Sequence, residues 1–578
     1  MKCIKYIILF AALTVTGCKK IIDLTPQSNI NSGTYYSTLS EVSTALTGCY
    51  NGMQKPLLDE WTLTELRSDN VIQGVKASTS TVNRDLSDLD MFFPNTSHQG
   101  VYTYWLNTYY NIRNVNFVLN SLGVDYSETA GTLSYNPITI PITDADKKKL
   151  AAEACFIRAC HYFNLVRLYG GVFLVHEPIS PEDAKGVNRT TPAEIYKLII
   201  ADLQNAATYG SAAKYSAIPA ADLGRANSWS AKALLAKVYL TVNRKTDAAA
   251  LLQDVITNSG YSLQSSYASV FSINNEMNSE ILFAIRFKAG GIGLGSILPN
   301  SFAPLNSGTA VANGDGKGYD YPSAELNNTY FSISLTGASV KKDSVRVVLA
   351  AANAAILPGM FVTGTQIAAG TTVAAISGNI LTLSLAATAT STTAALAIGD
   401  PRKTISIGTY TGGVPYPAKL ISSPAIANDA ENDWIVIRYA DVLLMLAEAQ
   451  GNSAASIALI NQTRNRAKIA PLDPLLINTP ALFEAELAKE RRLELAFENQ
   501  RWFDLQRMNT NFTTLTIEQT MKDHFAVMYP LHYIGYPAPT LTLAQMQAFV
   551  TTDRMLLPIP QREIDNNTRI IIAQNPGY

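Results

Sequence analysis

The sequence is poor in almost everything that would announce a reaction. Its 578 residues hold five histidines: His98, His161, His176, His524 and His532. None falls in an HExxH spacing, so no helix-borne zinc site is encoded that way. There is no Gly-x-Ser-x-Gly elbow and no phosphate-loop lysine motif. The run Gly291-Ile292-Gly293-Leu294-Gly295 lacks the following helix and lysine of a phosphate loop and reads as a flexible loop. His161 lies in an apolar stretch and reads as a packed core residue. Cysteines are few. Beyond Cys18, the body has Cys49, Cys155 and Cys160. The last two are five apart and point to different faces of a helix, so they cannot bridge each other. An exported chain with this count has no disulfide framework and must rely on a hydrophobic core. Charge is balanced, 45 basic against 46 acidic residues, with no basic stripe, which argues against nucleic acid as a partner. Long apolar runs are missing from the body as well. The richest, 347–362, is broken by Asn353, Pro358 and Gly359.

The N-terminus carries a distinct signal. Lys2 and Lys5 precede an apolar run at 7–15, too short to span a bilayer, which takes roughly 20 apolar residues. It suits the core of a secretory leader, residues 1–17. The run ends in Val15-Thr16-Gly17-Cys18, a pattern similar to the lipobox of bacterial lipoproteins, in which cleavage leaves Cys18 as the acylated terminus. The alternative is an ordinary leader that contains a cysteine. Lys19 and Lys20 follow Cys18, and the first acid is Asp23. Lipidation at Cys18 would anchor the chain to a membrane without crossing it.

Periodicity predicts paired helices. Trp105, Tyr109, Ile112, Asn116 and Leu119 share one helical face. Residues 150–169 are apolar nearly all round and stop at Gly170-Gly171, as a buried central helix does. Further helices are predicted at 194–207, 228–240, 247–257, 438–450 and 453–468, then one long charged helix at 481–508. Helix pairs of this size point to a tetratricopeptide-like scaffold or, more plainly, an unrepeated helical domain. The stretches 70–100, 263–330 and 509–540 show no sustained period and read as long loops, which are often binding elements. Residues 347–399 contain no Asp, Glu, Lys or Arg. Within them Leu381, Leu383 and Leu385 alternate with Thr382 and Ser384, the period of a strand. Residues 333–399 are therefore expected to form a small all-β insertion, with a low-complexity loop as the alternative.

Several blocks carry a family resemblance. They are AEACFIRACHYFNLVRLYGGVFLV at 152–175, DLGRANSWSAKALLAKVYL at 222–240, RYADVLLMLAEA at 438–449 and ERRLELAFENQRWFDLQRM at 490–508. LLPIPQREIDNN at 556–567 and AQNPGY at 573–578 close the chain. In this order they resemble the SusD/RagB family of surface nutrient-binding lipoproteins. The resemblance implies a mostly α fold, a tetratricopeptide-repeat-like scaffold with long binding loops, divided into an N-terminal region at 18–240 and a C-terminal region at 241–578. It implies a lipid-anchored location on the outer membrane, facing the cell surface, and capture of oligosaccharides or, in some members, peptides. It also implies a SusC-like TonB-dependent transporter as partner. No cofactor or metal is implied. A glycan hydrolase and a protein-only repeat scaffold are the competing readings.

Sugar capture needs flat aromatic faces and planar polar groups. Candidates in or beside the irregular segments are Trp61, Phe92, Phe93, Asn95, Tyr102, Tyr319, Tyr321 and Trp434, each of which could instead be a core residue under a loop. Arg67 and Asp69 join them, with a structural role as the alternative. Glu494 and Glu498, four apart on the long predicted helix, could form an acid–base pair. Arg491, Arg501 and Arg507 on the same helix favour an ion-pair network instead, which would lower the carboxyl pKa values.

Overall fold

The computed structural model describes residues 35–75, 81–368, 370–536 and 540–578, so the leader and Cys18 lie outside it. Helix α1 (Leu39–Asn51) starts at Thr38, whose hydroxyl accepts the Glu41 N–H while the Glu41 carboxylate accepts the Thr38 N–H. That reciprocal cap satisfies two donors that a helix start leaves free. Helices α2 (Gln54–Thr64), α3 (Thr81–Asp90) and α4 (Gln99–Ser121) follow. The face of α4 that the period marks is buried at Trp105, Ile112, Asn116 and Leu119.

Helix α5 (Asp144–Tyr169) is capped by Thr143 and ends at Gly170, whose φ of 72° a side chain would resist. It is buried all round from Leu150 to Phe163, as its lack of a polar face predicts. His161 is within it, its Nε2 accepting a 2.8 Å bond from Asn111 Nδ2, and burial pulls its imidazole down to about 4. Helices α6 (Pro192–Tyr209), α7 (Ser228–Thr241) and α8 (Lys245–Asn258) come next, then α9 (Tyr439–Gln450), α10 (Ala454–Arg466) and α11 (Pro480–Glu494). Each helix from α5 to α10 packs on its successor, and α11 packs on α9 and α10. The result is a stack of helix hairpins around one continuous core, with no helix among the described residues long and apolar enough to cross a membrane.

The long charged helix does not form. The chain turns at 495–500, where Phe497 and Asn499 take positive φ, and restarts as α12 (Arg501–Asn511). Tertiary bonds override helix propensity there. The Phe497 N–H donates to Glu65 Oε1 at 2.9 Å, a bond no continuous helix would leave free. The 509–540 stretch is not all loop either. Thr516 caps α13 (Ile517–Met528) inside it.

Short strands tie the loops to the stack. They are β1 (Val71–Gln73), β2 (Ile281–Ile285) and β3 (Asp320–Pro322). The insertion then contributes β4 (Phe331–Val340), β5 (Arg346–Val348), β6 (Phe361–Thr363), β7 (Val373–Ser377), β8 (Ile380–Leu383) and β9 (Ser391–Gly399). They form one antiparallel sheet in the order β6-β9-β4-β5-β8-β7. Its two ends meet. Val362 N donates to Thr371 O at 2.9 Å and Val373 N to Met360 O at 2.8 Å, which joins the two outer strands at one end and curls the sheet into a small barrel. Inside are Val347, Val362, Leu381, Leu396 and Ile398, joined by Ala467 and Ile469 from the helical body. Phe331 pairs with Gly399, so the barrel enters and leaves at one place. Beyond it lie the hairpin β10 (Ile407–Tyr410)–β11 (Val414–Pro417) and β12 (Trp434–Arg438). Strand β1 pairs with β3, β2 pairs with β12, and β11 packs beside β3.

Candidate functional site

The charged block at 490–507 is a structural network. Glu494 is fully buried and receives Arg402 Nη1 at 2.7 Å, Arg438 Nη1 at 2.6 Å and a close contact from Arg466. Glu498 binds Arg438 at 2.7 Å and Lys419 at 2.8 Å. These partners come from other elements and not from Arg491, Arg501 and Arg507 along the chain. Arg491 binds Asp504 and Asp441, Arg507 binds Glu448 and Asp504, and Arg501 binds Asp69. Burial alone would raise the Glu494 carboxyl, but Arg466, Arg438 and Arg402 outweigh it and hold it well below the usual carboxylate range. A carboxyl in that state cannot serve as a general acid near neutrality. Asp69 is part of the same framework. Arg67 is buried too, its guanidinium 4.1 Å above the Trp502 ring and bonded to the Arg554 carbonyl.

The aromatic candidates divide into three places. Trp61, Tyr319 and Trp434 gather in one cluster with Phe302, a residue that no sequence pattern marks out. Trp61 meets Phe302 edge-on at 5.1 Å and stacks against Tyr319 at 6.2 Å, while Phe302 reaches Trp434 at 6.5 Å. Trp61 and Trp434 are buried, 3% and 4% exposed, so their rings brace the loops from below. Tyr319 and Tyr321 are half-buried, and burial raises both phenols. The Tyr321 ring covers Gly74 and Gly318 too closely for either to carry a side chain. Half-buried Tyr416 of β11 lies flat on Gly408 in the hairpin beside β3. Phe92 is a core residue, packed against Trp502 and Phe525. Phe93, Asn95 and Tyr102 lie elsewhere, near the C-terminal segment. Phe93 stacks on Phe549, and Arg562 sits 4.6 Å over Tyr102. Asn95 is exposed.

The loops above the Phe302 cluster are cross-braced. Asp429 accepts the N–H groups of Gly290 and Gly291, both at 2.8 Å, so the glycine run is a pinned turn. Asn300 accepts the Asn428 N–H and donates to the Asn313 carbonyl, and Asn313 donates to the Ala425 carbonyl. Ile292, Leu294, Ile297, Leu305 and Ile426 are exposed on this crown. Beside it is a cleft of about 270 Å³ between β2, the α1–α2 turn and the 223–225 loop. No group of three or more His, Cys, Asp or Glu among the described residues could hold a metal ion.

Two family models match. The one described as "SusD family" matches residues 365–578, and the one described as "Starch-binding associating with outer membrane" matches 22–240. This chain belongs to the SusD family. A SusD-like protein of Formosa agariphila is 26% identical over 525 residues, covering 86% of this chain and 88% of its own. A second from that organism is 25% identical with both chains covered in full. Among solved structures, a laminarin-binding SusD-like protein aligns with TM-score 0.65 at 22% identity, covering 93% of this chain and 99% of its own. Surface glycan-binding protein A from Bacteroides thetaiotaomicron, in complex with laminarihexaose, aligns with TM-score 0.64 at 16% identity, covering 93% and 99%. At these identities the likeness concerns the SusD fold. The stacked helices with loops gathered over them are what the chains share.

Proposed function

We propose that this SusD-family chain is a lipid-anchored outer-membrane protein that captures oligosaccharides at the cell surface and delivers them to a SusC-like TonB-dependent transporter. The observation that carries the reading is the aromatic cluster. Tyr319 and Tyr321 are half-buried, Tyr319 stacks on the buried Trp61, and Phe302 links Trp61 to Trp434. Rings held in place lose little entropy when a sugar stacks on them. The laminarin-binding SusD-like protein and the laminarihexaose complex of surface glycan-binding protein A support the same ligand class. The anchor is Cys18, and the buried charge network has no part in binding.

Calorimetric titration of the chain with defined oligosaccharides tests the capture step. Binding of at least one oligosaccharide, weakened by Tyr319→Ala or Tyr321→Ala without loss of the thermal transition, is the expected result. Binding that neither variant alters would move the site away from these loops. Co-purification with a TonB-dependent barrel from outer membranes tests the partner, and release of Cys18→Ala from the membrane fraction tests the anchor.

A further inference from the structure

Two acids are buried where β3 meets the helical stack. Asp320 lies in β3 between Tyr319 and Tyr321, and Glu65 follows α2; each is 2% exposed. Each has one buried carboxyl oxygen, Glu65 Oε2 and Asp320 Oδ1, with no hydrogen-bond partner. The cations of this neighbourhood are committed elsewhere. Lys419 binds Glu498 at 2.8 Å, and Arg492 and Arg501 bind Asp69 at 3.2 Å and 2.7 Å. The other oxygen of Glu65, Oε1, accepts Asn70 Nδ2 at 2.8 Å and the Phe497 N–H at 2.9 Å. Asn70 also reaches the strand, because its carbonyl accepts the Ser323 N–H at 2.8 Å. The Asp69 carbonyl accepts the Ser323 hydroxyl at 2.9 Å, and Asp320 stands opposite Gln73 of β1. Asp90, the other buried acid beside β1, has partners for both oxygens, the Gln73 N–H and the Tyr533 hydroxyl.

A buried carboxylate with no partner is costly, whereas two neighbouring carboxyls satisfy each other when one donates a proton and the other accepts it. We propose that Glu65 and Asp320 share a proton and form a latch that holds β3, with Tyr319 and Tyr321, on the helical stack, and that the latch weakens as pH rises. Burial, and after it the Glu65 charge, hold the Asp320 carboxyl well above its ordinary range. Burial also pushes Glu65 up to about 7, helped by Asp69 and opposed by Asn70, the Phe497 N–H and Lys419. When the strand opens, both carboxyls meet water and return to their ordinary range. The closed strand therefore holds protons that the open one releases. Above the ordinary carboxylate range, opening grows by about tenfold per pH unit for each proton released, until the pH passes the raised values of the closed state. The latch needs no ligand, so it stands or falls apart from the oligosaccharide reading.

The test is hydrogen exchange of the full chain at about pH 5.5 and about pH 7.5, corrected for the intrinsic rate. The probes are the Tyr319 and Ser323 N–H groups, bonded to the Ser301 and Asn70 carbonyls, with buried α5 as the control. Relative to α5, these two should exchange about tenfold or more faster at the higher pH. Glu65→Gln keeps Oε1 for Asn70 and Phe497 and offers an N–H to Asp320 in place of the shared proton. Asp320→Asn offers an N–H to Glu65 in the same way. Each variant, with a thermal melt to show that it is folded, should lose most of the pH effect. If the strand of the unaltered chain gains no more exchange than α5, or if both variants keep the full pH effect, the latch is overturned. Protection at the higher pH that appears with added calcium and goes with a chelator would also overturn it, because the pair would then hold a cation in place of the proton.

Discussion

The junction between α11 and α12 and the inserted barrel are two opposite answers to the same problem. At the junction Glu280, Asp400, Arg402, Lys419, Arg438, Arg466, Glu490, Glu494 and Glu498 are buried together, drawn from segments far apart in the chain. The barrel has no charged residue from 347 to 399 and is held by aliphatic side chains and the backbone bonds of its six strands. The two touch directly, since β9 ends at Gly399 and Asp400 belongs to the network. Buried ions are unforgiving. Each needs every partner in place, so they fix how the segments meet. An aliphatic interior tolerates change in proportion to the volume altered. The helical stack is therefore specified by pairing, and the barrel by pattern.

Substitutions that separate these two modes have graded outcomes. Glu494→Gln leaves Arg402, Arg438 and Arg466 around a neutral group and should cost about 3–5 kcal/mol in urea unfolding. A smaller loss than Leu381→Ala would mean that the network is not what holds the junction. A pH series comes next. Burial pushes Asp59, Glu65 and Asp90 up to about 7, well above their ordinary 3.8 to 4.5. The folded chain then holds protons that the unfolded chain has released, so stability falls as pH rises from about 4 to about 7. The lowered Glu494 acts in reverse and is lost in acid, below the ordinary carboxylate range. Melting temperature should therefore peak in mildly acidic buffer and fall toward pH 8. A flat profile between the two would remove the buried acids from the account.

The barrel should respond more gently. Leu381→Ala, at a fully buried position, should cost about 2–3 kcal/mol by leaving a cavity, and hydrogen exchange should place the loss in the barrel alone. Replacing 334–398 with a short Gly/Ser linker should preserve the helical circular dichroism and lower stability by only about 1–2 kcal/mol, the burial lost at Ala467 and Ile469. Loss of the helical signal would show that the barrel is part of the core.

Much of the helical stack is legible in the sequence because its signals are local. Thr38 with Glu41, Thr143, Gly170 and the apolar period of α4 each act within a few residues. The barrel is legible by an absence, a run without charge. What sequence reading missed depends on distant partners. The break at 495–500 answers to Glu65, more than four hundred residues away, and Glu494 answers to Arg402 and Arg438. Helix α13 does carry a helical period, Ile517, Met521, Phe525 and Met528, but it is short and runs straight into Tyr529, Pro530 and Tyr533, which read as loop. The site was legible only as a list of residue types. Nothing local separates Phe92 or Trp61, which brace the structure, from Tyr319, which reaches the surface.

The division between a structural charge network and a binding surface on the loops can be tested with one pair of variants. The measurement is calorimetric titration with the oligosaccharide that binds the unaltered chain, beside a thermal melt, for Tyr321→Ala and Glu494→Gln. Tyr321→Ala should lose about tenfold or more in affinity, as removal of one stacked ring does, and keep its melting temperature. Glu494→Gln should melt earlier and, at a temperature where it is folded, bind unchanged. The opposite pattern, with affinity lost at Glu494 and retained at Tyr321, would contradict the account.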